Sequence, residues 1–189
     1  YLGCILDNVQ SRFYIKKEGE TKIEVRVNEN ETGVHHVLFF KRQDSCHEVT
    51  ILGYEIEDGE KLLELPKKTD KRIEVYGDSV SAGEVSEAVE FVGKEDPEHE
   101  GGYSNSYYSY GWILARKLGA QIHDIAQGGI ALMDGEGWYH EPEQIGMETV
   151  WNKVQYNTRL SGMSDWDFSK YIPQVVIVAV RQNDCHPED

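Results

Sequence analysis

The chain has 189 residues, of which 34 are acidic and 19 basic, giving a formal charge of −15. A surface that negative repels phosphate backbones and argues against a nucleic-acid partner, while 39 % hydrophobic and 11 % aromatic residues describe a folded chain rather than a disordered acidic tract. No run approaches the roughly 20 apolar residues that span a bilayer, so no membrane partner is expected.

Residues 1 to about 65 read as strands. Phe13–Ile15 and Ile23–Val27 are β-rich, the second cleanly alternating, and Val34–Phe40, Glu48–Tyr54 and Lys61–Leu65 follow. Turn chemistry separates them at regular spacing, as in a β-sandwich of which only part is visible here. The polar segment from Pro66 to Lys71 marks a domain boundary, dividing a sandwich-like or jelly-roll unit at 1–68 from a second unit at 69–189. The pattern then changes. Arg72–Tyr76 is a short strand, Tyr103–Leu118 a helix with Gly119 as its stop, Gln121–Ala126 a strand and Glu148–Leu160 a helix. After Pro173, the nearly unbroken apolar run Gln174–Val180 suits a central parallel strand covered on both faces. Strand, helix, strand, helix, strand predicts an α/β fold with a central parallel sheet.

Ligands of open parallel sheets bind beyond the carboxyl ends of the strands. Three polar or glycine-rich clusters stand there: Gly77-Asp78-Ser79, Gln127-Gly128-Gly129 and Gln182-Asn183-Asp184. Gly77 permits a tight turn that presents the Ser79 hydroxyl as a nucleophile and its N–H to a developing oxyanion. The competing reading makes Asp78-Ser79 a helix cap. Gly129, with Gly128 as its neighbour, can bring a backbone N–H to the same oxygen, and the Asn183 side-chain amide is a third donor; alternatively the glycines form an ordinary turn and Asn183 an Asx-turn. Asp184 is expected to brace the loop. His186 invites assignment as the general base, but it lies three residues past Asn183 on the same loop, whereas a base needs its own anchor within reach of the serine. It is therefore a weak candidate. No H-x-x-x-H or H-E-x-x-H occurs, so no metal is expected. Cys4, Cys46 and Cys185 form neither a disulfide framework nor a zinc ribbon, and one bridge, for example Cys4 with Cys46, would fit an exported protein.

These residues carry a resemblance. RIEVYGDSVSAGE, IAQGGIA and VVIVAVRQND resemble the first three blocks of the SGNH, or GDSL, hydrolases, in the family's order and over residues 71–189. The resemblance implies a three-layer α/β domain with Ser79 as nucleophile and oxyanion donor, and with Gly129 and Asn183 as the other oxyanion donors. YSNSYYSYGWILARKLGA and QNDCHPED are similar to the second carbohydrate esterase family, whose members join a small β-sandwich to an SGNH domain. That family removes acetyl groups from plant polysaccharides such as xylan and mannan, is commonly exported, and uses a Ser–His dyad without an obligatory Asp. The implied partner is an acetylated carbohydrate, the implied location secreted or cell-surface, and no cofactor is required. Trp138, Tyr139 and Trp166 are candidates for stacking on sugar rings, or else for packing. A non-catalytic carbohydrate-binding protein with a decayed site, and a lipase or thioesterase of the same superfamily, are the competing functions.

Two departures accompany the resemblance. Arg181 occupies a position that is usually Gly, where it would fill the substrate pocket or point to solvent. The family's D-x-x-H block, which holds the catalytic His, does not occur before Asp189. The expectation is that the chain is an internal piece of a longer enzyme, with the remainder of its own polypeptide as a partner that supplies the base.

Overall fold

The computed structural model describes residues 1–15, 19–27, 33–44, 48–140, 143–157 and 162–185. Strands β1 (Leu2–Leu6), β2 (Val9–Phe13) and β3 (Val37–Lys41) form an antiparallel sheet in the order β2-β1-β3. The β1–β2 connection is the two-residue turn Asp7-Asn8, both residues at positive φ (46° and 74°), as a primed hairpin turn requires. The Asp7 carboxylate accepts from the His36 N–H at 2.8 Å and meets His35 Nδ1 at 2.5 Å, so β3 is tied to the same turn. The strands expected at 23–27, 48–54 and 61–65 do not form. The alternation at 23–27 and the apolar content of the other two suit half-buried strands, but a strand needs a ladder partner for its backbone. Here Ile51, Leu52, Leu62 and Leu65 are exposed instead. Conversely, β1 was not expected and is the middle strand of this sheet, with Cys4 fully buried.

The second unit is α/β. It comprises β4 (Arg72–Gly77), the single-turn helix α1 (Ser79–Ala82), helix α2 (Tyr110–Leu118), β5 (Gln121–Ala126), the short helix α3 (Met147–Val150), the small antiparallel pair β6 (Lys153–Gln155) and β7 (Ser164–Asp165), and β8 (Val175–Ala179). The sheet is parallel, in the order β5-β4-β8. On one face Ile73 and Val75 pack against Ala115 of α2, with Leu114 and Ile122 beside them. On the other, Tyr76 packs with Ile130, Tyr139, Met147, Val150 and Tyr156. The apolar run at 175–179 is a parallel strand as expected, but β4 is the central one. β8 lies at the edge of the described sheet, with Val176 and Val178 at 52 % and 65 % exposure.

The helix expected from residue 103 starts only at Tyr110. Ser109 is extended there (φ −63°, ψ 154°) and accepts from the Trp112 N–H, resetting the N-cap after a 3₁₀ turn at Ser106–Tyr108. Gly119 ends α2 at φ 60°, as its sequence position implied. The helix expected at 148–160 is cut to α3, because the chain turns at Trp151 into β6; residues 158–160 lie outside the described residues.

Candidate active site

Gly77 at the end of β4 is in register with Ala126 of β5 and Ala179 of β8. The three strands therefore end at one level, about 5 Å apart across the ladder, and each cluster follows the end of its strand. Close packing dictates the first residue: a Cβ on Gly77 would sit 1.9 Å from Ser81 Oγ and 2.3 Å from Ser81 Cβ.

Asp78 is the N-cap of α1. Its Oδ1 accepts from the Val80 N–H at 3.1 Å, and it is 1 % exposed, so burial pushes its carboxyl above the usual carboxylate range. The capping alternative for this pair is thus realised by Asp78, which leaves Ser79 as the first helical residue. Ser79 is half-buried, and among the described residues neither its hydroxyl nor its N–H has a hydrogen-bond partner. The helix is held from beneath by Ser81 Oγ, 2.7 Å from the Tyr110 hydroxyl of α2. Near that contact the Asp124 carboxyl of β5 is buried with Oδ1 unpaired, and burial lifts it to about 7 against an opposing hydrogen bond from Ser109.

The two glycines of the second cluster differ. The Gly128 N–H donates to Asp44 Oδ2 at 2.9 Å, whereas the Gly129 N–H has no partner among the described residues. Gly129 is at φ 75°, and its carbonyl accepts from both Trp138 N–H (2.7 Å) and Tyr139 N–H (3.0 Å). A Cβ there would lie 2.9 Å from Trp138 Cβ. In the third cluster, Asn183 Nδ2 donates to the Ile130 carbonyl at 2.9 Å, and Asp184 Oδ2 accepts from the Leu132 N–H at 3.0 Å. Both side chains clasp the loop that follows Gly129, and among the described residues the second amide hydrogen of Asn183 has no partner. Asp184 is the brace that its position implied.

Arg181 is exposed and sits at φ 99°, a conformation that suits Gly and strains other residues. Trp138 is 67 % exposed beside Gly129, whereas Tyr139 is 5 % exposed, packed edge-on against Tyr156 at 5.8 Å. Its ring belongs to the core and offers no free face to a sugar. The Trp166 ring lies tilted against His123, with centroids 4.8 Å apart; His123 is three residues before the end of β5, about 10 Å from the level of the strand ends. Trp166 packs the sheet rather than lining the site. His123 in turn meets buried Glu74 at 3.1 Å, and His99 meets Glu84 at 2.6 Å; among the described residues no histidine hydrogen-bonds to Ser79. His186 and Cys46 lie outside the described residues. Among the described residues no group of three or more His, Cys, Asp or Glu could hold a metal, and no helix is long and apolar enough to cross a membrane. What sequence reasoning missed is Asp44, which gave no motif signal and acts from the other sheet.

The fold and these clusters define a parallel α/β protein with a serine at its first strand-to-helix turn. Residues 1–66 match the family model "Carbohydrate esterase 2 N-terminal". The chain is 37 % identical over 153 residues to the cellulase/esterase CelE of Acetivibrio thermocellus, covering 80 % of this chain and 17 % of that protein. It is 28 % identical over 157 residues to an acetylxylan esterase/glucomannan deacetylase of Cellvibrio japonicus, covering 82 % and 41 %. A family two carbohydrate esterase from Clostridium thermocellum, solved in complex with cellohexaose, superimposes with a TM-score of 0.79 at 30 % identity, over 97 % of this chain and 53 % of that one. These matches support assignment of the chain to carbohydrate esterase family 2. The chain spans less than half the length of these curated relatives.

Proposed function

We propose that this chain carries the nucleophile and oxyanion site of a serine esterase that removes O-acetyl groups from plant cell-wall polysaccharides or their oligosaccharides. The observation that carries it is the division of labour at the β4–α1 turn. Asp78 caps the helix, and among the described residues the Ser79 hydroxyl and N–H and the Gly129 N–H have no partner, on loops that leave the neighbouring strands β4 and β5. The names of the relatives, an acetylxylan esterase/glucomannan deacetylase and a cellohexaose-bound esterase, support a carbohydrate substrate.

In this reading a histidine outside the described residues takes the Ser79 proton as Oγ attacks the acetyl carbonyl. The oxyanion is held by the N–H groups of Ser79 and Gly129 and the amide of Asn183, each worth about 3 kcal/mol, or about 100-fold in rate. The tetrahedral intermediate collapses with expulsion of the sugar oxygen, which receives the proton. Water then adds to the acetyl-enzyme, the base takes its proton, and acetate leaves with Ser79 restored. Trp138 is the stacking platform for the sugar, and Arg181 borders the site. We also propose that residues 1–68 are a sandwich-type accessory domain and 69–189 the catalytic domain, and that the protein works outside the cell or on its surface.

The test is acetate release from acetylated xylan and glucomannan by the whole natural polypeptide, with Ser79→Ala and His186→Ala alongside. The expected result is loss of release with Ser79→Ala and its retention with His186→Ala. Arg181 at a glycine-type φ favours one second reading, a carbohydrate-binding protein that has lost turnover. Sugar binding with no Ser79-dependent acetate release would decide for it.

A further inference from the structure

Whether Gly129 can serve an oxyanion depends on the direction of its N–H, which is fixed by the plane of the Gly128–Gly129 peptide. In a trans peptide the carbonyl of one residue and the N–H of the next point opposite ways. Holding the Gly128 carbonyl therefore aims the Gly129 N–H. That carbonyl accepts from Gln127 Nε2 at 3.0 Å, and the same Nε2 donates to Asp44 Oδ2 at 2.9 Å. Asp44 Oδ2 also accepts from the Gly128 N–H at 2.9 Å. A single carboxylate oxygen gathers the N–H on one side of Gly128 and the amide that grips its carbonyl on the other. Gln127 is 1 % exposed, so its amide has little freedom to seek other partners. A Cβ at 128 would lie 2.9 Å from Asp44 Oδ2 and 2.5 Å from Glu84 Oε2, so any larger residue there would displace these carboxylates. Asp44 follows β3 of the N-terminal sheet, more than eighty residues away in sequence from the glycines it holds.

We propose that Asp44 is a positioning residue for the esterase reaction, setting the plane of the Gly128–Gly129 peptide so that the Gly129 N–H faces the oxyanion. The N-terminal sheet thereby supplies part of the oxyanion hole's support rather than serving only as an appended module. The inference rests on the esterase reading above. A support that acts only on a transition-state donor changes kcat and leaves substrate binding alone. An ionised acceptor is stronger than a neutral one, but an asparagine oxygen in the same place retains the geometry.

The experiment compares Asp44→Ala and Asp44→Asn with the unmodified whole polypeptide on 4-nitrophenyl acetate, with Ser79→Ala as control. Asp44→Ala should lower kcat about tenfold or more with KM held within about twofold, and Asp44→Asn should recover most of the loss. If Asp44→Ala does not fold, Asp44→Ser takes its place and is held to the same outcomes. Unchanged kcat, an equal loss in both variants, or a rise in KM with kcat kept would overturn the role of Asp44 while Ser79→Ala remains inactive. Turnover that survives Ser79→Ala would overturn the esterase reading and this inference with it.

Discussion

Asn183 shows how one residue can hold the site and take part in it. One amide hydrogen is committed to the Ile130 carbonyl, and among the described residues the other has no partner. Asn183→Ala should therefore lower kcat by about 100-fold or more, as loss of an oxyanion donor does elsewhere, with KM little changed. Steady-state kinetics on an acetyl ester would check it; a pure KM effect would mean that Asn183 only braces the loop. Two residues away, Arg181 holds a backbone conformation that strains any side chain, at φ 99°, and its side chain is exposed. Arg181→Gly should raise stability by about 1 kcal/mol, the strain relieved less the extra freedom glycine gives the unfolded chain. A urea midpoint that falls instead would show that the arginine makes a compensating contact. At this scale the sequence was most informative where one residue type has one use. Ser79 after Gly77, Gly129 after β5 and Asn183 after β8 stand out as candidates because the proposed chemistry needs a hydroxyl, a missing Cβ and an amide at strand ends. Tyr139 and Trp166 could not be placed that way. Aromatic rings serve cores and sugar faces alike, and only burial separates the two uses.

Among the elements, β5 carries a titratable group in an unusual place. The folded Asp124 carboxyl titrates at about 7, lifted by burial from an ordinary value of 3.8. Between those values the unfolded chain has released this proton and the folded chain keeps it. The group's contribution to stability is therefore full below about pH 4 and is lost as pH rises through about 7. Asp124→Asn should flatten that decline and make the protein more stable than the parent at pH 8, measured by denaturant unfolding across the pH range. An unchanged slope would contradict the assignment. Strands 72–77, 121–126 and 175–179 were legible because unbroken or bounded apolar runs have few other uses. The helix starting at Tyr110 was expected seven residues early, because a serine N-cap inside a tyrosine-rich segment looks like continued helix. The strands expected at 23–27, 48–54 and 61–65 failed for a different reason. Alternation or apolar content reports residues that could be buried, not whether a neighbouring strand is there to bury them.

Across the whole molecule, the two sheets are joined by buried polar contacts. Arg42, 1 % exposed, bonds Glu87; Asn105, fully buried, donates to Glu87 at 2.7 Å and to Gln10 at 3.0 Å. The Ser106 hydroxyl closes the joint on the Lys41 carbonyl at 2.7 Å. None of this was legible in the sequence, since the partners lie up to 95 residues apart and share no motif. Removing Arg42 would leave Glu87 without its buried cation, so Arg42→Ala should cost about 3 kcal/mol in a denaturant melt; a change below about 0.5 kcal/mol would mean that the sheets hold together without it. The same joint brings Asp44 to the glycine loop, so damage to it should reach the chemistry. The central claim remains the nucleophile. Its most direct test is to treat the whole natural polypeptide with a fluorophosphonate, which marks only a serine activated for attack, and to locate the adduct by peptide mass spectrometry. The expected result is a single adduct on the peptide containing Ser79, absent from Ser79→Ala. Labelling of another serine with Ser79 unmodified, in a protein that hydrolyses acetyl esters, would contradict it.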